Sequence, residues 1–92
     1  MSKKVVWKYD VPIREHFTLE LPLGTEILHF SLQYGEAKLW VLVDPLIFLT
    51  EEKVERKFLL AGTGRDINEG GLKYIGTIKM VEEKLIYHLF EY

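Results

Sequence analysis

Residues 26–43 read EILHFSLQYGEAKLWVLV, two stretches of mixed apolar and polar residues joined at a glycine. In the first stretch every second residue is apolar or aromatic, namely Leu28, Phe30, Leu32 and Tyr34. Side chains of a β-strand return to the same face at this spacing, so residues 26–34 are predicted to form a strand. Gly35-Glu36 is then predicted to form a tight hairpin turn into a second strand over residues 37–43.

The same period of two continues through most of the chain. It predicts further strands over about residues 3–10, 17–21, 54–61, 72–81 and 85–92. Asp44-Pro45 ends the strand over 37–43, because proline has no amide hydrogen for the ladder. Residues 46–53 fit either a single helical turn or a loop, and no segment has the apolar stripe of a convincing helix. Seven short strands predict an all-β fold, a small antiparallel sandwich or partly closed barrel, in a single domain over residues 1–92.

The composition argues against several classes of protein. Hydrophobic residues make up 48% of the chain and charged residues 28%, which is ordinary for a globular protein. A net charge of −2 argues against a protein that binds duplex nucleic acid, which normally has a basic face. The lack of cysteine excludes disulfides and thiolate metal sites and suits the cytoplasm. Residues 39–49, the longest apolar stretch, are too few for a membrane span, and no signal peptide is evident, so we expect a soluble cytoplasmic protein.

Several predicted strands are apolar on both faces. The strand over residues 37–43 has Leu39, Val41 and Val43 on one side, and Trp40 and Leu42 on the other. The strand over residues 85–92 has the same character. A single core in 92 residues does not bury both faces of every strand, and large exposed apolar patches are uncommon on monomers. We therefore expect a homo-oligomer.

No arrangement of residues predicts catalysis. The three histidines, His16, His29 and His88, lie in separate segments, and none has a partner at the spacing of metal ligands. Ser31 is the only serine outside the N-terminus, and it lies outside any nucleophile-elbow pattern. Glu51-Glu52 and Glu82-Glu83 fit solvated turns. The sequence therefore predicts a protein that is not an enzyme and uses no metal or cofactor.

The loop Gly62-Thr63-Gly64-Arg65-Asp66 is the most suggestive segment for ligand binding. The two glycines allow the backbone to approach a ligand closely, and the threonine hydroxyl and arginine suit a phosphate or carboxylate. The loop lacks the lysine and the strand–loop–helix context of a P-loop. Its simpler interpretation is a turn in which Arg65 pairs with Asp66 or is solvated.

Other polar and aromatic residues are candidates for the same site. Arg14 lies in a second polar cluster and could assist in phosphate binding across a subunit interface. Trp40 and Tyr74 could stack on a base. Each has a simpler interpretation, Arg14 as part of a surface connection and the aromatic residues as part of a core or interface.

Five segments carry a resemblance to a known family. They are VWKY at residues 6–9, LWVLVDP at 39–45, GTG at 62–64, YIGT at 74–77 and HLFE at 88–91. In this order the chain resembles a family of small uncharacterised domains from phages and bacteria. The resemblance implies a class of role, since some small oligomeric phage proteins act against host defence by binding nucleotide immune signals. The chain departs from the family pattern at residues 46–53, and no site residues are implied.

The resemblance and the loop over residues 62–66 together favour a phage-type binding protein. It would sequester a phosphorylated nucleotide immune signal, either derived from ADP-ribose or a cyclic nucleotide, at a boundary between subunits. Two alternatives remain open from the sequence. One is a protein-interaction module that binds a host or virion protein. The other is a small hydrolase that uses carboxylates.

Overall fold

The structure is a computed structural model that describes residues 3–92, apart from the side chain of Phe48. Met1 and Ser2 of the predicted domain lie outside the described residues. Seven strands and one short helix follow in order: β1 (Val5–Asp10), β2 (His16–Pro22), β3 (Glu26–Gln33), β4 (Glu36–Val43), α1 (Pro45–Leu49), β5 (Lys53–Gly62), β6 (Lys73–Met80) and β7 (Leu85–Glu91).

The strands form two antiparallel sheets that pack face to face. The first sheet has the order β1-β4-β3 and the second has the order β2-β5-β7-β6. Their inner faces enclose the core, in which Leu39, Val41, Phe58 and Leu89 are fully buried. The predicted all-β fold is therefore confirmed as a sandwich of two sheets, not closed into a barrel.

The hairpin between β3 and β4 turns one residue earlier than predicted. The turn residues are Tyr34 and Gly35, with φ of 51° and 77°, and Glu36 already belongs to β4. Two central residues with positive φ make a type I′ turn, whose twist matches that of the flanking strands. The sequence pattern does not indicate this turn, because tyrosine rarely adopts a positive φ.

The ambiguous residues 46–53 begin in a short helix and end in β5. Asp44 caps α1, because its Oδ1 accepts a hydrogen bond from the Leu46 amide at 2.9 Å. Pro45 occupies the first helical position, where a missing amide hydrogen costs nothing. The helix ends before Thr50, whose hydroxyl donates to the Ile47 carbonyl at 2.7 Å. Within residues 3–92, no helix is long and apolar enough to cross a membrane.

The connection between β5 and β6, residues 63–72, crosses the outer face of the second sheet. β5 and β6 both run antiparallel to β7, so the chain must travel the length of the sheet between them. On this path Glu69 hydrogen-bonds His16, which lies opposite Leu59 on the outer face. Leu59 and Ala61 point away from the main core and are still only 0% and 1% exposed. We call residues 63–72 the crossover loop, because it covers an apolar face that the sequence analysis assigned to another subunit.

Candidate functional site

Three of the seven candidate residues line one cleft at the end of the sandwich where β5 stops. Arg14 comes from the β1–β2 connection, Gly62 from the end of β5 and Arg65 from the start of the crossover loop. The cleft has a volume of about 240 Å³, and its wall also includes Tyr87 of β7. The β2 and β5 ladder fixes this arrangement, since the Leu60 amide donates to the Glu15 carbonyl at 2.8 Å. We call this region the Gly62 end.

A second cleft of about 390 Å³ lies beside the first. Its walls include Thr63 and Lys84, and it shares Gly62 and Tyr87 with the first cleft. Gly62 and Tyr87 are direct partners in the β5–β7 ladder. A Cβ built on Gly62 would lie 4.0 Å from Cε1 of Tyr87, so the tyrosine ring packs beside a bare backbone. This pair forms a ridge between the two clefts.

The Arg65 guanidinium is held by two carboxylates. Its Nε donates to Glu15, and its Nη1 and Nη2 donate to Glu69 at 3.3 and 3.1 Å. Asp66 contributes only its backbone carbonyl, at 2.9 Å from Nη1. The simpler interpretation of the loop paired Arg65 with Asp66. Arg65 does pair with acidic side chains, but these are Glu15 and Glu69 and not Asp66. A phosphate at Arg65 must share the guanidinium with these carboxylates, and its role in binding stays a prediction.

Glu69 is the centre of this polar cluster. Hydrogen bonds from Arg65, and then from His16 and the backbone, lower the pKa of Glu69 from 4.5 to about 2. The hydrogen bonds that Arg65 donates to Glu69, and then to Glu15, raise the pKa of Arg65. The His16 Nε2 lies 2.5 Å from Oε2 of Glu69. The Glu69 carboxylate is therefore charged at neutral pH, and its bonds to Arg65 and His16 hold the crossover loop against β2.

Arg14 differs from Arg65 in having no charged partner. Its side chain is exposed, and it makes no hydrogen bond or ion pair with any residue in the part of the chain that the structure describes. Its amide donates to the Pro12 carbonyl at 2.9 Å, which holds the backbone of the loop. Unlike Arg65, Arg14 therefore has all the N–H donors of its guanidinium available to bind an anion in this cleft.

Thr63 is the first of four side chains that are connected in series by hydrogen bonds between hydroxyl and imidazole groups. Its Oγ1 lies 2.8 Å from His88 Nε2, and His88 Nδ1 lies 2.9 Å from Thr77 Oγ1. Thr77 in turn lies 2.5 Å from the Tyr74 hydroxyl. Tyr74 is thus connected to Thr63 through three hydrogen bonds, but it lines neither cleft of the Gly62 end. Its ring packs edge-on against Phe90 at 5.6 Å.

Trp40 lies on the other sheet, away from the Gly62 end. It occupies the outer face of β4, between Lys8 of β1 and His29 of β3, and its ring centroid is 5.9 Å from that of His29. The aromatic residue that lines both clefts is Tyr87, which the sequence analysis missed. Alternation puts Leu85, Tyr87 and Leu89 on one face, but only the strand register shows that Tyr87 lies opposite Gly62.

Among residues 3–92, no group of three acidic or histidine side chains is placed to hold a metal ion. Comparison with curated proteins and with solved structures gives no match. A family model, described as a domain of unknown function (DUF7352), matches residues 2–92. The match covers almost the whole chain, so this protein belongs to the DUF7352 family.

Proposed function

We propose that this protein binds a phosphorylated nucleotide at the Gly62 end and holds it without transforming it. The observation that supports the proposal is the meeting of Arg14, Gly62 and Tyr87 around one cleft. Arg14 supplies an unpaired cation, Gly62 an accessible backbone and Tyr87 an aromatic surface. These are the three kinds of contact that a phosphate and a base require.

Each candidate residue has a distinct role in this proposal. Arg14 binds a phosphate, and the amides of Gly62 and Gly64 and the Thr63 hydroxyl add hydrogen bonds to the ligand. Arg65 fixes the crossover loop through its ion pairs with Glu15 and Glu69.

Tyr87 takes the stacking role that the sequence analysis gave to Trp40 and Tyr74. Trp40 lies on the opposite sheet, so it takes part only where a second subunit brings its own Trp40 to the cleft.

The resemblance to small phage and bacterial domains supports a biological setting for this binding. A phage protein that holds a nucleotide immune signal lowers the free concentration of that signal in the host cytoplasm. Such a role needs tight binding and no reaction, and it fits a homo-oligomer with a site at each subunit boundary. The ligand class is an ADP-ribose derivative or a cyclic nucleotide.

A thermal-shift screen of nucleotides tests the proposal. A ligand that binds only the folded protein raises its melting temperature. For a ligand found in this way, we expect Arg14→Gln to weaken binding roughly tenfold to a hundredfold, the effect of losing about 1.5–3 kcal/mol of charge-assisted hydrogen bonding. Lys57→Gln, a change at an exposed lysine of β5, is the matched control and should bind as the wild type does.

Two results would contradict the proposal. The first is a panel of nucleotides none of which shifts the melting temperature at millimolar concentration. The second is a ligand whose affinity is the same for Arg14→Gln and the wild type. Product analysis of each ligand after incubation checks that the protein leaves it unchanged.

A second candidate function is a protein-interaction module. The outer face of the first sheet favours it, because Val6 is 56% exposed and lies beside Leu42 in a row next to Trp40. The crossover loop lies over the second sheet and not over this face. A module of this kind should show no thermal shift with nucleotides, so the same screen separates the two functions.

A further inference from the structure

The two clefts of the Gly62 end are small when taken singly. Ligand pockets in proteins usually have volumes of about 300–1,000 Å³. The cleft beside Arg14 has about 240 Å³ and the cleft beside Lys84 about 390 Å³, so the first falls below this range and the second near its lower limit. Gly62 and Tyr87 belong to the walls of both. A ligand that crosses the ridge would occupy both volumes.

Each cleft has one cation without a charged partner. Arg14 serves the smaller cleft, and Lys84 lines the larger one. Across the described residues 3–92, the Lys84 ammonium makes no hydrogen bond or ion pair. Arg65, by contrast, is neutralised by its two carboxylates. The carboxylate of Glu15 also lines the smaller cleft, but it is paired with Arg65. Among residues 3–92, the cations of these two clefts that have no charged partner are therefore Arg14 and Lys84, one in each cleft.

The position of Lys84 is fixed by an unusual turn. Val81, Glu82 and Glu83 have φ of 50°, 55° and 66°, which is left-handed backbone at three successive residues. A valine in this conformation is a genuine outlier, because its branched side chain is crowded there. The Lys84 amide donates to the Val81 carbonyl at 3.1 Å and closes the turn. A hairpin of this shape places Lys84 immediately before β7, in the wall of the larger cleft.

We propose that the ligand of this protein carries two separate phosphate groups. Arg14 binds one phosphate in the smaller cleft, and Lys84 binds the other in the larger cleft, where the Thr63 hydroxyl is a second donor. The part of the ligand between the phosphates, its base or ribose, lies over Tyr87. This inference rests on the proposed nucleotide binding and adds Lys84 to the site.

The test compares ligands with one and with two phosphates on the full chain by calorimetry. The probe with one phosphate is adenosine 5′-monophosphate. The probes with two phosphates are adenosine 3′,5′-bisphosphate and the dinucleotide 5′-phosphoadenylyl-adenosine, in which the two phosphates are spaced differently. We expect at least one doubly phosphorylated probe to bind about tenfold or more tightly than the monophosphate. Lys84→Gln should remove this gain and leave monophosphate binding within about twofold, whereas Arg14→Gln should weaken both.

Controls separate a binding effect from a folding effect. Lys84→Arg keeps the charge and should keep most of the gain, and Lys57→Gln should bind every probe as the wild type does. If the second phosphate adds no affinity, or if Lys84→Gln keeps the gain, the two-phosphate inference is wrong while nucleotide binding stands. If none of the three probes binds, this inference fails, and the thermal-shift screen of nucleotides then decides the proposed function by itself.

Discussion

Gly62 and Gly64 are two residues apart and have different reasons to be glycine. Gly64 has φ of +93°, which side chains with a Cβ rarely adopt, whereas Gly62 does not have a positive φ. We therefore expect Gly64→Ala to lower the free energy of unfolding by about 1–2 kcal/mol. Gly62→Ala meets Tyr87 only at an ordinary contact distance of 4.0 Å and should change stability little. Urea melts of the two variants measure the difference, and equal losses would contradict it.

The lowered pKa of Glu69 predicts that the free energy of unfolding depends on pH. Its folded pKa of about 2 lies below its ordinary value of 4.5, because Arg65 and then His16 stabilise the charged form. Its contribution to stability is therefore complete above the unfolded pKa and is lost as the pH falls towards 2. We expect the gap in unfolding free energy between the wild type and Glu69→Gln to be largest near pH 6–7 and to shrink steadily from about pH 5 to pH 2.

The measurement is a series of urea melts across this pH range. Glu52→Gln is the control, since Glu52 is exposed and its side chain makes no hydrogen bond or ion pair with the described residues. The gap for Glu52→Gln should not follow the same trend. A gap for Glu69→Gln that stays constant from pH 7 to pH 2.5 would show that the Arg65–Glu69 pair does not stabilise the folded state.

At the scale of single elements, α1 depends on one side chain. A helix of five residues has little intrinsic stability, so the hydrogen bond from Asp44 to the Leu46 amide supplies much of what holds its first turn. Asp44→Ala should lower the free energy of unfolding by about 0.5–2 kcal/mol. Asp44→Asn keeps an acceptor at the cap and should cost less. Chemical denaturation of both variants tests this, and similar losses would exclude a capping role.

At the scale of the whole molecule, the outer face of the first sheet is the surface that favours self-association. The crossover loop covers the corresponding face of the second sheet, whereas the outer face of the first sheet carries the apolar row of Val6, Trp40 and Leu42. We expect a dimer or larger species at micromolar concentration in sedimentation equilibrium. Leu42→Glu should shift it towards the 10.8 kDa monomer, because a charge at the centre of an apolar interface is costly.

Tyr34→Asn is a suitable control for this experiment. Tyr34 is 97% exposed at a hairpin tip on the same sheet, and asparagine tolerates its positive φ. The variant should associate as the wild type does. A wild-type protein that stays monomeric across a wide concentration range would remove the case for this interface.

The amino-acid sequence by itself determined the strands, because alternation of side chains is a local property of an extended chain. The strands predicted over residues 26–34 and 37–43 correspond to β3 and β4 almost residue for residue. The differences lie at the ends of elements, at the Tyr34-Gly35 turn and at α1. At these positions single hydrogen bonds and backbone angles decide the structure. The spacing of apolar residues along the sequence carries no information about such bonds and angles.

The tertiary structure alone decided how the candidate site is assembled. Arg14 and Arg65 are far apart in the chain, and only the β2–β5 ladder brings them to one cleft. The partners of Arg65 depend on where the crossover loop runs, and the place of Tyr87 depends on the register that sets it opposite Gly62. Loop paths and strand registers follow from packing of the whole chain. For this reason the sequence indicates the loop over residues 62–66 as a candidate for ligand binding, whereas it does not indicate Tyr87 or Lys84.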